Sequence, residues 1–252
     1  MKKQKIKFLY LDLENSPSIG YVWAKYQTDV ISFQKEWYVM SFAYKWEGDK
    51  TKVKALPDYQ TYKIDPTDDS ELVRELWEIM DEADVICGHN VDRFDIRKIQ
   101  TRFLYHGLGL PSSFKTVDTL KIARKMLLMN SNKLDHLAQY LGIGEKIDTG
   151  GFKLWIDCMS GDKKAWKLMK EYNKHDVDLT EKVYKELRPF INNHPNANLY
   201  NGTTHSCPNC GSSDVQKRGY NYTRIGKRSR LQCVSCGAWS QGELVKTDVT
   251  VR

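Results

Sequence analysis

Apolar and polar positions alternate from Lys5 to Glu14. Phe8, Tyr10, Asp12 and Glu14 share one side by the period of two, and Leu9, Leu11 and Leu13 share the other. The segment is predicted to be a buried strand that ends in two acids. A second strand is predicted over Tyr38–Trp46 and a third over Thr51–Leu56, with Gly48-Asp49 as the turn between them. The period then becomes helical. Residues 69–82 place Leu72, Val73, Leu76, Trp77 and Met80 on one face. A short strand, Asp84–Cys87, a Gly88-His89-Asn90 turn and a helix over about 92–106 follow; that helix turns Ile96, Ile99 and Phe103 inward and stops at Gly107. Val117–Met129 reads as a strand end running into a helix, and Lys133–Leu141 as a helix stopped by Gly142. Beyond a break at Gly150-Gly151, one long helix is predicted from Lys163 to Leu187.

An early hairpin followed by strand–helix alternation predicts an α/β domain with a mixed sheet over residues 1–190. Asn192, Asn193, Pro195, Asn196, Asn198, Asn201 and Gly202 crowd the next stretch, so residues 191–203 read as a linker. Residues 204–252 form a second unit, too short to build a core without a staple. The longest apolar runs are as brief as Met126-Leu127-Leu128-Met129, far below the ~20 residues of a membrane span. The basic start, Met1-Lys2-Lys3-Gln4-Lys5, mimics the head of a signal peptide. The apolar stretch behind it is broken by Asp12 and Glu14, so the expectation is a cytoplasmic chain without a signal peptide or membrane contact.

Composition supports a folded chain: 40% of the 252 residues are hydrophobic and 12% aromatic, enough for a sizeable core. The net charge of +7 favours a polyanionic partner, and its distribution is uneven. From residue 201 onward there are eight Lys/Arg against three Asp/Glu, so +5 of the excess lies in the last fifth of the chain.

Three sets of residues carry candidate chemistry in the first domain. Asp12 and Glu14 lie at i and i+2 on one side of a strand end, where burial and mutual repulsion both oppose ionisation. Either they are solvated at an exposed edge or a hard divalent cation, Mg²⁺ or Mn²⁺, resolves the repulsion. Asp95, in Gly88-His89-Asn90-Val91-Asp92-Arg93-Phe94-Asp95, projects from the first turn of a helix toward the sheet end. Asp92 is its rival one turn away, although a helix N-terminal acid favoured by the macrodipole describes Asp92 better. Asn90 is expected to cap that helix. Tyr172 and Asp176 lie at i and i+4 on one helix face, either as a core Tyr with an Asp at its rim or as part of a site. Cys87 and Cys158 have no partner at metal spacing and read as small buried hydrophobes.

These motifs resemble a known family. Leu11-Asp12-Leu13-Glu14 resembles the Asp-x-Glu motif of the DEDD superfamily, the DnaQ-like nucleases with a ribonuclease-H-like fold. His89-Asn90 through Phe94-Asp95 resembles the second motif. Tyr172-x-x-x-Asp176 resembles the third in its Tyr form, the DEDDy subgroup. Asp118-Thr119-Leu120 is similar to a recurrent non-catalytic segment of these domains. The likeness covers about residues 5–190. The His subgroup carries His five residues before the last Asp, where this chain has Glu171, and His175 would point about 100° away from Asp176 on a helix. The resemblance implies a mixed sheet flanked by helices and a 3′→5′ exonuclease with two Mg²⁺ or Mn²⁺ ions held by Asp12, Glu14, Asp95 and Asp176. It implies that Tyr172 orients the attacking water. It also implies that one or two of the aromatics Tyr21, Trp23, Tyr26, Phe33, Trp37 and Tyr38 stack on terminal bases, the segment Tyr21–Lys35 being the wetter place to look.

The tail carries Cys207-x-x-Cys210-Gly211 and Cys233-x-x-Cys236-Gly237, separated by 22 residues. Four thiolates in two knuckles predict one structural Zn²⁺ and a zinc ribbon, which resembles those at the ends of some transposases; His205 is not needed as a ligand. Between the knuckles Lys217, Arg218, Tyr220, Tyr222, Arg224, Lys227, Arg228 and Arg230 interleave cations with aromatics, a pattern suited to phosphate contact and base stacking. The expected partners are nucleic acid, DNA before RNA, and a separate replication or recombination protein. The expected function is exonuclease action with the ribbon as a nucleic-acid tether. The competing readings are a catalytically silent DNA-binding protein, a structure-specific endonuclease and an RNA exonuclease on the same fold.

Overall fold

The computed structural model describes residues 6–27 and 29–246; Lys5, where the first strand was expected to begin, lies outside them. In chain order the elements are β1 (Phe8–Asn15), β2 (Ile19–Tyr21), β3 (Ser32–Lys35), β4 (Val39–Trp46), β5 (Lys52–Ala55), α1 (Thr61–Ile64), α2 (Ser70–Asp81), β6 (Val85–Gly88), α3 (Asp95–Tyr105), β7 (Lys115–Asp118), α4 (Thr119–Met126), α5 (Leu134–Tyr140), α6 (Lys153–Met159) and α7 (Lys163–Leu187). The tail adds α8 (Ala197–Asn201), β8 (Val215–Thr223), β9 (Gly226–Cys233) and β10 (Trp239–Lys246).

Five strands form one mixed sheet in the order β5-β4-β1-β6-β7. β1 runs antiparallel to β4 and parallel to β6, and β6 runs parallel to β7. The two-sided apolar pattern of β1 places it at the centre. Leu9, Leu11 and Leu13 pack with Phe42, Leu72, Leu76 and Ile99 on the face covered by α2 and α3. Phe8 and Tyr10 pack with Val177 and Tyr184 of α7 on the other. Asp12 and Glu14, on the same side as Phe8 and Tyr10, therefore continue toward α7, and that placement builds the site.

The parallel strands bring the ends of β1, β6 and β7 to one edge, the edge at which α/β sheets present ligand sites. Gly88 closes β6 against β1: a Cβ there would stand 2.9 Å from the Leu11 carbonyl oxygen, so only glycine lets the strands meet. Asp118, at the end of β7, caps α4 by accepting from the amides of Leu120 (3.0 Å) and Lys121 (3.2 Å), and also accepts from the Asn90 amide at 3.0 Å. The segment Asp118-Thr119-Leu120 thus holds the turn that leads to Asp95. Asn90 does not cap α3, which begins at Asp95 rather than near residue 92. It takes the left-handed conformation, φ 68°, which Asn tolerates, and its carbonyl accepts from the Phe94 amide at 3.0 Å.

The stretch expected to be a bare linker contains α8. Asn196 caps it with a 3.1 Å bond to the Asn198 amide, and the Ala197 amide donates to the Pro208 carbonyl at 2.7 Å. The tail is a three-stranded antiparallel sheet in the order β10-β9-β8 that grows out of the two cysteine knuckles. The Asn209 side-chain amide donates to the carbonyls of Arg188 (3.3 Å) and Ile191 (3.4 Å), so the first knuckle sits against the end of α7. No helix is long and apolar enough to cross a membrane among the described residues.

Candidate active site and cysteine centre

β1 and α7 build the acidic site. Asp12, Glu14 and Asp176 each bring a carboxylate oxygen to within 4.8 Å of the others. Asp12 and Glu14 arrive from one side of β1, and Asp176 from the buried stripe of α7 that also carries Met169, Asn173, Val177 and Thr180. Asp95, also buried, is not part of this triplet. Its Oδ1 accepts from the Leu13 amide at 3.0 Å, which ties the N-terminus of α3 to β1 between the two strand acids. Asp92 faces elsewhere, in an ion pair with Lys121 at 2.6 Å.

Two residues that sequence reasoning missed hold the acids in place. Asn173 Nδ2 donates to Asp12 Oδ2 at 2.6 Å, and its own Oδ1 accepts from Ser41 Oγ at 3.1 Å. Lys146, from the loop after α5, donates to the Tyr172 hydroxyl oxygen at 3.0 Å and forms an ion pair with Asp176. Asn173 had a readable signal, a polar residue at a core-facing position three before Asp176. Lys146 had none, because its loop has no periodicity. His175 turns away, its Nε2 lying 2.7 Å from the Glu145 carbonyl oxygen.

The electrostatics are those of crowded acids. Asp12 and Glu14 are partly open to the cleft, yet the protein packed around their carboxylates opposes ionisation. Burial and then the Asp176 charge push Asp12 up to about 7, against the opposing help of Lys146 and Asn173. Burial, then Asp12, hold Glu14 well above the usual carboxylate range, and the same two causes act on Asp95. Asp176 is raised by burial, with Lys146 pulling the other way. Burial also raises the Tyr172 phenol, with Asp176 and Glu14 adding to the effect, so it stays protonated at neutral pH. Burial disfavours the Lys146 ammonium, but Asp176 and Tyr172 more than offset it and the net shift is upward.

Among the described residues the buried Asp176 Oδ1 has no hydrogen-bond partner, which leaves an oxygen with unsatisfied acceptor capacity inside a cluster of like charges. A hard divalent cation supplies both missing terms, the charge and the electron-pair acceptor, so the residues fit such an ion.

Beside the acids, Trp155 of α6 stands edge-on to Tyr172 with ring centroids 6.2 Å apart. Of the aromatics expected to meet bases, Tyr38 is buried, and Trp37 is half-buried under the Lys98 ammonium, 3.6 Å from the ring centroid. Trp23 (89% exposed), Tyr26, Tyr21 and Phe33 are open to solvent on the β2–β3 hairpin that leaves β1 directly after the site.

In the tail, Cys207, Cys210, Cys233 and Cys236 bring their sulfurs within 4.8 Å of one another, with Cys207–Cys236 at 3.6 Å and Cys210–Cys233 at 3.7 Å. Thiolates placed tetrahedrally about 2.3 Å from one zinc ion lie about 3.8 Å apart, so these two spacings match a Zn²⁺ site and the four residues fit that ion. His205 is exposed and outside the cluster. Cys87 and Cys158 are fully buried in the first domain, and burial pushes the Cys158 thiol up to about 12.

The strand register divides the eight basic and aromatic residues. Lys217 opposes Leu231, Tyr220 opposes Ser229 and Tyr222 opposes Lys227, which places Lys217, Tyr220, Tyr222 and Lys227 on one face of the sheet. Arg228 and Arg230 alternate onto the other face, where Arg230 lies over the Trp239 ring at 4.9 Å. Arg224 is in the β8–β9 turn, and Arg218 is at a bulge beside Gly219.

A family model of the RNase_H superfamily, RNase_H_2, matches residues 31–188. That stretch carries Asp95, Tyr172 and Asp176 and leaves Asp12 and Glu14 outside it. Among solved structures, the chain is similar to the family B DNA polymerase from the hyperthermophilic archaeon Pyrobaculum calidifontis, at 17% identity and a TM-score of 0.54, over 87% of this chain and 31% of the polymerase. The chain thus spans about a third of the polymerase's length, and at that identity the likeness is one of fold. No curated protein matches the chain.

Proposed function

Because the chain belongs to the RNase H superfamily, we propose that it is a metal-dependent nuclease, and more narrowly a 3′→5′ exonuclease that shortens DNA strands. The observation that carries this reading is the convergence of Asp12 and Glu14 from β1 with the buried Asp176 from α7 at one point, with Tyr172 one helical turn from Asp176. Asp12, Glu14 and Asp176 would hold divalent cations, Mg²⁺ or Mn²⁺, with Asp95 completing the set from the adjoining turn. When bound, two such ions supply a deprotonated water and stabilise the charge that develops on the phosphate and the leaving oxygen.

The chain's own groups do the positioning. Tyr172, kept protonated, offers its hydroxyl hydrogen to the water or to a phosphate oxygen and is not a general base. Lys146 holds the Tyr172 oxygen and the Asp176 carboxylate in one arrangement and adds a cation to a site that must receive a polyanion. Asn173 fixes Asp12, and Asp95 fixes the backbone between Asp12 and Glu14. The cysteine centre would bind one structural Zn²⁺, and the basic tail would raise the local concentration of substrate.

The test is hydrolysis of 5′- and 3′-labelled strands and of a covalently closed circle with Mg²⁺. Exonuclease action from the 3′ end releases mononucleotide from the 3′-labelled strand at once, shortens the 5′-labelled strand stepwise and spares the circle. Cutting of the circle would establish an endonuclease and overturn the narrower reading.

A further inference from the structure

The tail sheet exposes both of its faces. In an ordinary three-stranded sheet one face packs on a core. Here the buried residues of β8–β10 are only Gly226 and Cys233, at the turn and at the cysteine centre. Contact with the first domain is made by the knuckles, through Asn209 and by the approach of Gly237 to Pro189, and by α8, where Asn201 Oδ1 accepts from the Ile6 amide at 3.1 Å. Among the described residues no hydrogen bond or ion pair joins β8, β9 or β10 to residues 6–191.

Both faces carry the same chemistry. One has Lys217 and Lys227 bracketing the Tyr220 ring, at 4.3 and 4.7 Å from its centroid, with Tyr222 79% exposed beside them. The other has Arg230 on the half-exposed Trp239, with Arg228 next along the strand. The turn between the strands presents Arg224 and an exposed Ile225. From Val215 to Gly242 there is no Asp or Glu at all.

We propose that the β8–β9 hairpin enters the major groove of a B-form DNA duplex tip first, so that its two faces meet the phosphates of the opposite groove walls. This rests on the reading of the tail as a nucleic-acid tether and commits it to a double-stranded partner. A platform for single strands needs one basic, aromatic face and leaves the other free for packing. A ribbon between two phosphate walls needs cations on both faces and at the tip. The B-form major groove, about 12 Å wide, admits a two-stranded β-ribbon, whereas the A-form major groove of RNA is too deep and narrow for side chains to read. Nine residues of β8 at about 3.3 Å each reach roughly 30 Å from the cysteine centre. That length lets the tip engage DNA while the knuckles stay seated on α7. The nuclease cleft would then act on an end whose duplex stem is held by the ribbon.

The test measures binding of the full chain in Ca²⁺, which suppresses hydrolysis, to a DNA duplex, a DNA single strand of equal length and an RNA duplex, across ~50 to ~200 mM salt. Lys217→Gln/Lys227→Gln removes the charge of one face, and Arg224→Gln/Arg230→Gln that of the tip and the other face. Each pair should lower the log–log salt slope for the DNA duplex by about two units. Affinity lost between ~50 and ~200 mM salt should accordingly shrink by about tenfold for each pair. Single-strand and RNA-duplex binding should hardly respond. Loss confined to one pair, or equal loss on single strands or RNA duplex, overturns groove insertion while leaving the tether reading intact. No response on any substrate removes the tether reading itself, and nuclease activity on short strands then stands or falls separately. Zinc content of one ion per chain in each variant shows that the ribbon is folded, and Lys217→Arg/Lys227→Arg should restore the slope.

Discussion

Lys146 Nζ lies 3.0 Å from the Tyr172 hydroxyl oxygen and pairs with the carboxylate of Asp176 one helical turn further on. A loop residue therefore clamps the two groups of α7 on which the proposed chemistry depends. Because Asp176 is buried, this ammonium is the charge that makes its ionised form tolerable without a bound cation.

Lys146→Gln is expected to slow hydrolysis by roughly ten- to a thousandfold, the scale of a lost positioning group. Without divalent cations it should also destabilise the fold by about 1–3 kcal/mol, because a buried carboxylate loses its partner. Mg²⁺ should narrow that gap by binding the folded state. Urea denaturation of both proteins with and without Mg²⁺ is the measurement. A gap that Mg²⁺ leaves unchanged would show that the ion does not share Asp176 with Lys146.

Asp12→Ala or Asp176→Ala should reduce activity by about a thousandfold or more while the fold survives. Activity within a few-fold of wild type would end the assignment. Asp92→Asn should remain near wild type, since its carboxylate pairs with Lys121 away from the acids. For Asp12 the pH dependence has a definite sign. With its folded value pushed up to about 7, the folded chain holds a proton between about pH 4 and 7 that the unfolded chain has released. Metal-free stability should therefore fall as pH rises through that window, and Asp12→Asn should flatten the trend in a urea series.

His89 gives the opposite slope. Its Nδ1 lies 2.9 Å from Thr119 Oγ1, and burial, then the Lys146 charge, lowers the imidazole to about 4. Between about pH 6.5 and 4 the unfolded chain takes up a proton that the folded chain refuses, so stability is lost on acidification through this window. The loss is up to about 3 kcal/mol. His89→Gln keeps a donor and an acceptor without the titration. In saturating Mg²⁺, which removes the Asp12 trend, the variant should lose the acid limb of the stability curve. A curve identical to wild type would place the acid sensitivity elsewhere.

The elements that were legible in the sequence are those whose signal is local. β1 announces itself by Leu9, Leu11 and Leu13 against Phe8 and Tyr10, and α7 runs from Lys163 to Leu187 as its apolar period predicts. The four cysteines converge as their spacing requires. What was not legible depends on tertiary placement. Lys146 comes from a loop between Gly144 and Gly150, and nothing near it in sequence points to Asp176 thirty residues on. The short β2–β3 hairpin and α6 lack a sustained period, although the one follows β1 directly and the other sets Trp155 against Tyr172. In the tail, counting by twos fails at the bulge between Lys217 and Tyr220, which shifts Tyr220 onto the face of Lys217. The run of basic residues was visible, but its division between two faces was not.

Burial bears on the boundary proposed for the first domain. Ile191 packs into the cluster of Phe8, Tyr10 and Tyr184, and His194 Nε2 lies 2.7 Å from the Tyr184 hydroxyl oxygen. Ala197, by contrast, is bound through its amide to Pro208 in the first knuckle. Truncation after Pro195 should therefore keep the first domain intact, whereas truncation after Pro189 strips Ile191 and His194 from the face of the sheet that carries α7. The shorter protein should be less stable by about 2–4 kcal/mol, from one buried Ile and one hydrogen bond. Every residue proposed for catalysis precedes residue 177, so truncation after Pro195 should leave turnover on a short single strand within about twofold of the full chain. Thermal unfolding and single-turnover hydrolysis of the two truncations decide the matter. If the longer one unfolds with the shorter, or loses turnover, then the knuckles seated on Arg188 and Ile191 are part of the nuclease fold and the tail is not a separable unit.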